Sequence, residues 1–252
     1  MAGRALLATA LVSVLTATAS TQQVVDDQSR REAIRHYNAG QEFMAGEKFE
    51  RAAEEFSKAI QRDRLFTLAH YFLGQAYVNQ RRYPSAVKAY LDCIEACRAI
   101  YALRQTNRFE AEKRRDDDVH TLRETVALAQ SQASRTPGSG LALRATQLEQ
   151  QLQHLENSRT SIEGPFQPPA EVLLALGSAL FHNDQVEQAE FEWLAAIQVN
   201  PKLGEAHNNL AVLYMRTGRL AAAAEELRLA ERSGMRVNPQ FKKDLKQAIA
   251  AK

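Results

Sequence analysis

A spacing of 34 residues constrains this chain more than any other feature. Aligned on a tiny residue near the end of a short apolar run, residues 33–66, 67–100, 170–203 and 204–237 fall into register, as two abutting pairs. Position 8 of the unit holds Gly40, Gly74, Gly177 and Ala211, and position 20 holds Ala52, Ala86, Ala189 and Ala223. Position 11 carries Phe43, Tyr77, Leu180 and Tyr214, and position 24 carries Phe56, Tyr90, Trp193 and Leu227. Position 27 is small again, with Ala59, Cys93, Ala196 and Ala230. Small residues at fixed columns let two helices approach, and large ones fill the space between them. Unrelated amphipathic helices have no reason to keep glycine and alanine in register, so the period implies stacked helix–turn–helix units sharing a continuous core.

Composition supports helices throughout. Gly (11) and Pro (7) are few among 252 residues, while helix formers are plentiful, which points to an all-α protein. A formal net charge of +2 gives no bulk attraction to nucleic acid or to anionic membranes. Basic residues alternate with acidic ones, so no nucleic-acid stripe emerges and no such partner is expected. Phosphate-binding glycine loops, a nucleophile elbow and the H-E-x-x-H pair are all missing from the sequence. The expectation is a protein that is not an enzyme and uses no cofactor or metal. An enzyme hidden in a groove is the most remote alternative.

In its columns the chain resembles the tetratricopeptide repeat family. It departs from that pattern at position 32, which is proline only at Pro201, and at position 4, which holds His36, His70, Leu173 and His207 in place of tryptophan. The recurrence of these histidines at a packing column implies partly buried structural groups. The resemblance implies a right-handed superhelix of helix–turn–helix repeats. It also implies a concave groove lined by the first helix of each unit, where a protein or peptide partner would lie. Positions 2, 5, 9 and 12 face that groove in the family. Carried over, they include Tyr37, Gln41, Met44, Tyr71, Gln75, Val78, Phe181, Asn208 and Val212, with Asn209 at the place of the family's backbone-gripping asparagine. Tyr37, Gln41, Leu68 and Phe72 stand where the carboxylate-clamp subtype carries lysine and asparagine, so that subtype is disfavoured.

Residues 101–169 do not follow the period. Val119, Leu122, Val126, Ala129 and Ala133 form one 3–4 stripe, and Leu141, Ala145, Leu148, Leu152 and Leu155 form another. The breaker-rich segment Ser134–Gly140 separates them, so an antiparallel helical hairpin with a short coiled-coil seam is expected. Nothing between Ala86 and Ala133 looks like a helix breaker, which makes the outbound arm a continuation of the second helix of the second repeat. The charged stretch Arg108–Asp118 reads as a solvated face, because adjacent aspartates on a helix diverge and cannot converge on a metal. Asn238-Pro239 opens a last amphipathic helix carrying Phe241, Leu245 and Ile249, a cap for the fourth unit.

The N-terminus reads as an export signal. One arginine, an apolar run from Ala5 to Leu15 and the small pair Ala17 and Ala19 place a cleavage site after Ala19. The apolar run is too short to span a bilayer, so the mature chain is expected to lack a direct membrane span. Cys93 and Cys97 are four apart on one helix, a poor geometry for a disulfide, and read as core residues. The expected organisation is a signal at 1–19 and a disordered or short helical lead-in at 20–32. A repeat pair at 33–100, the insertion at 101–169, a second pair at 170–237 and a cap at 238–252 follow. The functional expectation is an exported, periplasmic or secreted bacterial adaptor of a cell-envelope assembly. The alternative is a structural protein that works through the hairpin, as a homodimer for example.

Overall fold

The computed structural model describes residues 25–136, 140–157 and 165–251. Residues 1–24 lie outside it, and with them the signal and cleavage site; so do Pro137–Ser139 at the centre of the breaker segment, and residues 158–164. Among the described residues the chain is all-α. The first pair of units is α1 (Asp27–Ala45) with α2 (Phe49–Arg62) and α3 (Thr67–Asn79) with α4 (Tyr83–Thr106). The insertion is α5 (Arg108–Arg135) and α6 (Leu141–Asn157). The second pair is α7 (Ala170–His182) with α8 (Val186–Val199) and α9 (Gly204–Arg216) with α10 (Leu220–Arg232), followed by α11 (Pro239–Ala250). Helix α1 reaches back into the lead-in, because the Asp26 side chain accepts from the Ser29 N–H at 2.8 Å and caps it there.

The columns act in pairs. A Cβ added to Gly40, Gly74 or Gly177 would sit 2.6, 2.5 or 2.6 Å from the ring of Phe56, Tyr90 or Trp193, so the tiny residue at position 8 makes room for the ring at position 24 of the same unit. The fourth unit carries Ala211 at position 8 and the smaller Leu227 at position 24, both buried. Gly74→Ala is therefore expected to lower stability by about 1–3 kcal/mol through overpacking. Alanine's intrinsic helix advantage of about 1 kcal/mol does not offset this. A fall in the calorimetric Tm checks it, and adding Tyr90→Leu, the pairing of the fourth unit, should recover part of the loss.

The turns repeat as faithfully. Position 15 is left-handed in all four units, with φ of 56° at Glu47, 58° at Arg81, 58° at Asp184 and 74° at Gly218. The next N–H returns to the carbonyl of position 11 in each case: Lys48 to Phe43, Arg82 to Tyr77, Gln185 to Leu180 and Arg219 to Tyr214, at 2.8–2.9 Å. That closing bond terminates the first helix of every unit at the same place.

The histidines of position 4 are tied into the same framework. His36 and His207 bond through Nδ1 to Glu55 and Glu226, both at 2.7 Å and both nineteen residues on. His70 has no such carboxylate; its Nε2 bonds the Arg64 carbonyl at 2.9 Å, and burial lowers its pKa below the usual 6.5. A lowered histidine pKa adds stability above pH 6.5 that is lost as pH falls from there through the folded-state value. His70→Gln should flatten that stretch of a stability–pH profile measured by chemical denaturation.

The insertion departs from expectation in two ways. First, the helix does not run unbroken from Ala86 to Ala133. Asn107 adopts φ −144° and ψ 77°, ends α4 and caps α5, its side chain accepting from the Glu110 N–H at 3.2 Å. Asparagine offers the backbone this local alternative to a helical bond, which apolar periodicity does not register. Second, the charged base of α5 is solvated on one side only, at Arg108, Glu112 and Asp116. Ala111, Arg114, Asp118, Leu122, Val126 and Ala129 form its buried stripe, and Arg114 and Asp118 are only 3% and 5% exposed. Arg30 of α1 donates to Asp63 at 2.6 Å and pairs with Asp118, while Arg114 donates to Asp63 at 2.8 and 3.1 Å. The wholly buried Asp63 carboxylate, at the C-cap of α2, thus holds two guanidiniums from different helices.

Two cores result. Leu122, Val126 and Ala129 of α5 and Ala145 and Leu148 of α6 join the core of α1–α3. Ala86, Tyr90, Cys93 and Ile94 of α4 share the other core with α7 to α11, so the second unit stacks on the third in spite of the long insertion. Cys93 is buried and its thiol donates to the Thr67 carbonyl at 3.4 Å; Cys97 beside it and burial push that thiol upward, and both cysteines are free. Leu245 seats α11 in the second core while Ile249 remains exposed.

Candidate binding cleft

The inner faces of the first helices do not form one open groove. In the first unit the hairpin covers them. Tyr37 is fully buried, its ring 5.8, 5.2 and 5.7 Å from those of Phe56, Phe66 and Phe72. Burial holds its phenol well above the ordinary range, with Thr125 of α5 beside the hydroxyl. Gln41 is buried and its side-chain oxygen accepts from Arg144 of α6 at 2.5 Å. Met44 is buried too. Tyr37, Gln41 and Met44, expected to meet a partner, are instead buried in the chain's own core, with α5 at Tyr37 and α6 at Gln41. Apolar groups left exposed there would favour such burial by roughly 25 cal/mol per Å².

Beyond the hairpin the inner surface opens into a cleft of about 880 Å³. Helix α3 contributes Tyr71, Gln75, Val78 and Asn79, and α7 contributes Glu171, Leu174, Ala175 and Ser178. One wall is α6, through Gln147, Gln150, Gln151 and Gln153. The α8–α9 turn, with Lys202, the start of α9, with Glu205, and the α10–α11 turn, with Met235 and Arg236, close the far end. Gly204 allows those turns to meet, since a Cβ on it would lie 2.2 Å from the Ser233 hydroxyl. The floor is apolar, the walls are amides, and two acids and two bases share the rim.

Of the groove residues expected from the sequence, the structure brings Tyr71, Gln75 and Val78 together in this cleft. Tyr71 joins its two sides: its ring stands at 90° to Phe72 and 5.8 Å from Tyr90, and its hydroxyl lies within reach of Gln75 and of Gln151 on α6. Phe181, Asn208, Asn209 and Val212 are half-buried on α7 and α9 and do not line the cleft. Phe181 packs on Trp193 with Arg216 over its ring, and the Asn209 amide donates to Ser178 Oγ at 3.3 Å, linking adjacent units. The α6 glutamines were missed because family groove positions exist only inside the repeats. Four glutamines within seven residues, Gln147 to Gln153, were the available signal.

Among the described residues no cluster of three or more His, Cys, Asp or Glu is arranged to hold a metal ion, and no helix is long and apolar enough to cross a membrane.

A family model described as tetratricopeptide repeat matches residues 37–102 and 174–236, just over half of the chain. No curated protein matches it in sequence. Among solved structures it aligns with YrrB, described as a TPR protein with an unusual peptide-binding site, at 17% identity over 89% of this chain and 93% of that one, TM-score 0.30. It aligns with PilW, described as a type IV pilus biogenesis factor, at 12% identity over 86% of each chain, TM-score 0.39. MamA from Desulfovibrio magneticus RS-1 aligns at 16% identity over 83% of this chain and 97% of that one, TM-score 0.28.

Proposed function

The chain belongs to the tetratricopeptide repeat family, and on that premise we propose that it is an exported scaffold whose cleft between α3, α6, α7 and α9 holds a segment of a partner protein. The single observation that carries this reading is the cleft itself. A concave site of about 880 Å³ with an apolar floor and convergent amides suits a polypeptide.

Export and a role in a cell-envelope assembly rest on the n-, h- and c-region order of residues 1–19. N-terminal sequencing of the mature protein, recovered from the periplasm or the medium, should begin at Ser20. The oligomerising alternative draws less support, because the apolar seam of the hairpin is used within the chain against α1 and α3.

The test is affinity capture with the full chain and its Gln75→Ala/Asn79→Ala variant, compared by quantitative mass spectrometry. At least one partner should fall tenfold or more with the variant. Equal recovery of every partner would remove the cleft as the binding site.

A further inference from the structure

Resting on the reading that the cleft holds a polypeptide, we propose that the glutamine face of α6, outside the repeats, reads the main chain of an extended and largely uncharged segment. Gln147, Gln150 and Gln151 recur at 3–4 spacing, away from the Ala145 and Leu148 seam that packs α6 inward. Gln147 and Gln150 are exposed. Gln151 is half-buried beside Tyr71, and its side-chain oxygen is buried with no hydrogen-bond partner. A buried acceptor left unmade is costly, so turning this side chain toward an N–H in the cleft would be favourable.

Each glutamine amide offers both donor and acceptor, the same pair that a peptide unit offers. One helical turn of α6 advances about 5.4 Å. An extended chain turns the same edge outward every second residue, about 6.6 Å. Three rotatable side-chain bonds absorb the difference, so Gln147 and Gln151, four residues apart, can follow alternate peptide units. Gln75 and Asn79 stand on the α3 wall one turn apart; the Asn79 side-chain N–H donates to the Gln75 backbone carbonyl at 2.9 Å, which leaves its oxygen as the group to offer. The rim carries Glu171 and Glu205 against Lys202 and Arg236, which gives the cleft no net field to select a charged tail.

The probe is a phage-displayed random dodecapeptide library panned on the full chain. The most enriched peptides are then measured by fluorescence anisotropy against wild type, Gln147→Ala/Gln150→Ala and Gln75→Ala/Asn79→Ala. Because Gln147 and Gln150 are exposed, the α6 variant should keep the wild-type circular dichroism and melting curve. The expected result is enrichment of peptides poor in charged residues, with affinity reduced at least tenfold by either double variant. N-methylation of alternate backbone amides of the peptide should reduce it as much. Binding weakened by the α3 changes but not by the α6 changes would overturn the role of α6 and leave the cleft reading standing. Binding insensitive to N-methylation, or peptides rich in charge, would overturn main-chain readout. Binding insensitive to both double variants, or no enriched peptide, would overturn the cleft reading itself.

Discussion

Asp63→Asn is expected to remove about 3–5 kcal/mol of stability, the range for breaking a buried ion pair from one side. The Asp63 carboxylate is wholly buried and holds Arg30 of α1 and Arg114 of α5. Asparagine keeps its shape but removes the counter-charge that the two guanidiniums share, leaving Arg114 with Glu110 alone at 2.9 Å. Asp118 remains to pair with Arg30, but burial already pushes its carboxyl upward, so it is a weaker counter-charge than its position suggests. The loss is large beside a typical domain stability of about 5–15 kcal/mol. Urea denaturation would show it as a lower midpoint. Adding Arg114→Met should recover part of it, because an apolar replacement removes the stranded charge. A loss below about 1 kcal/mol would mean that water reaches these groups, as it does at surface pairs.

Tyr37→Ala is expected to cost about 3–5 kcal/mol, as for other large aromatic truncations in a core. The ring contacts Phe56, Phe66 and Phe72 and lies under the hairpin, so its loss opens a cavity where α1, α3 and α5 meet. Hydrogen exchange should accelerate in α5 and α6 along with the first unit, and more than in α9 and α10, which belong to the other core. Were Tyr37 a groove residue awaiting a partner, its truncation would leave stability nearly unchanged and weaken binding alone. The two outcomes separate a self-filled surface from an open one.

What was legible in the sequence had a steric cause at a fixed spacing. Gly74 against Tyr90 and Gly177 against Trp193 leave a mark in single columns because a Cβ cannot fit beneath the ring. The arms of the hairpin were visible for the same reason, through Leu122 and Val126 and through Ala145 and Leu148. What escaped depends on partners far along the chain. Arg114 and Asp118 read as solvated until Asp63 and Arg30 are known to face them, and no local pattern encodes that meeting. The break at Asn107 turns on one side chain choosing a backbone N–H over solvent. Tyr71, Gln75 and Val78, carried over from the family as groove positions, do line one cleft. Tyr37, Gln41 and Met44 are buried instead, because the groove positions carried over from the family take no account of the insertion.

Site-specific photocrosslinking in intact cells bears most directly on the central claim, that the partner enters the cleft beyond a surface closed by the hairpin. A photoreactive residue would replace Asn79 or Glu205, both exposed on the cleft, or Leu143, 65% exposed on α6 and outside the cleft lining. The same partner adduct is expected from positions 79 and 205 and none from position 143. Adducts from position 143 alone would contradict that claim.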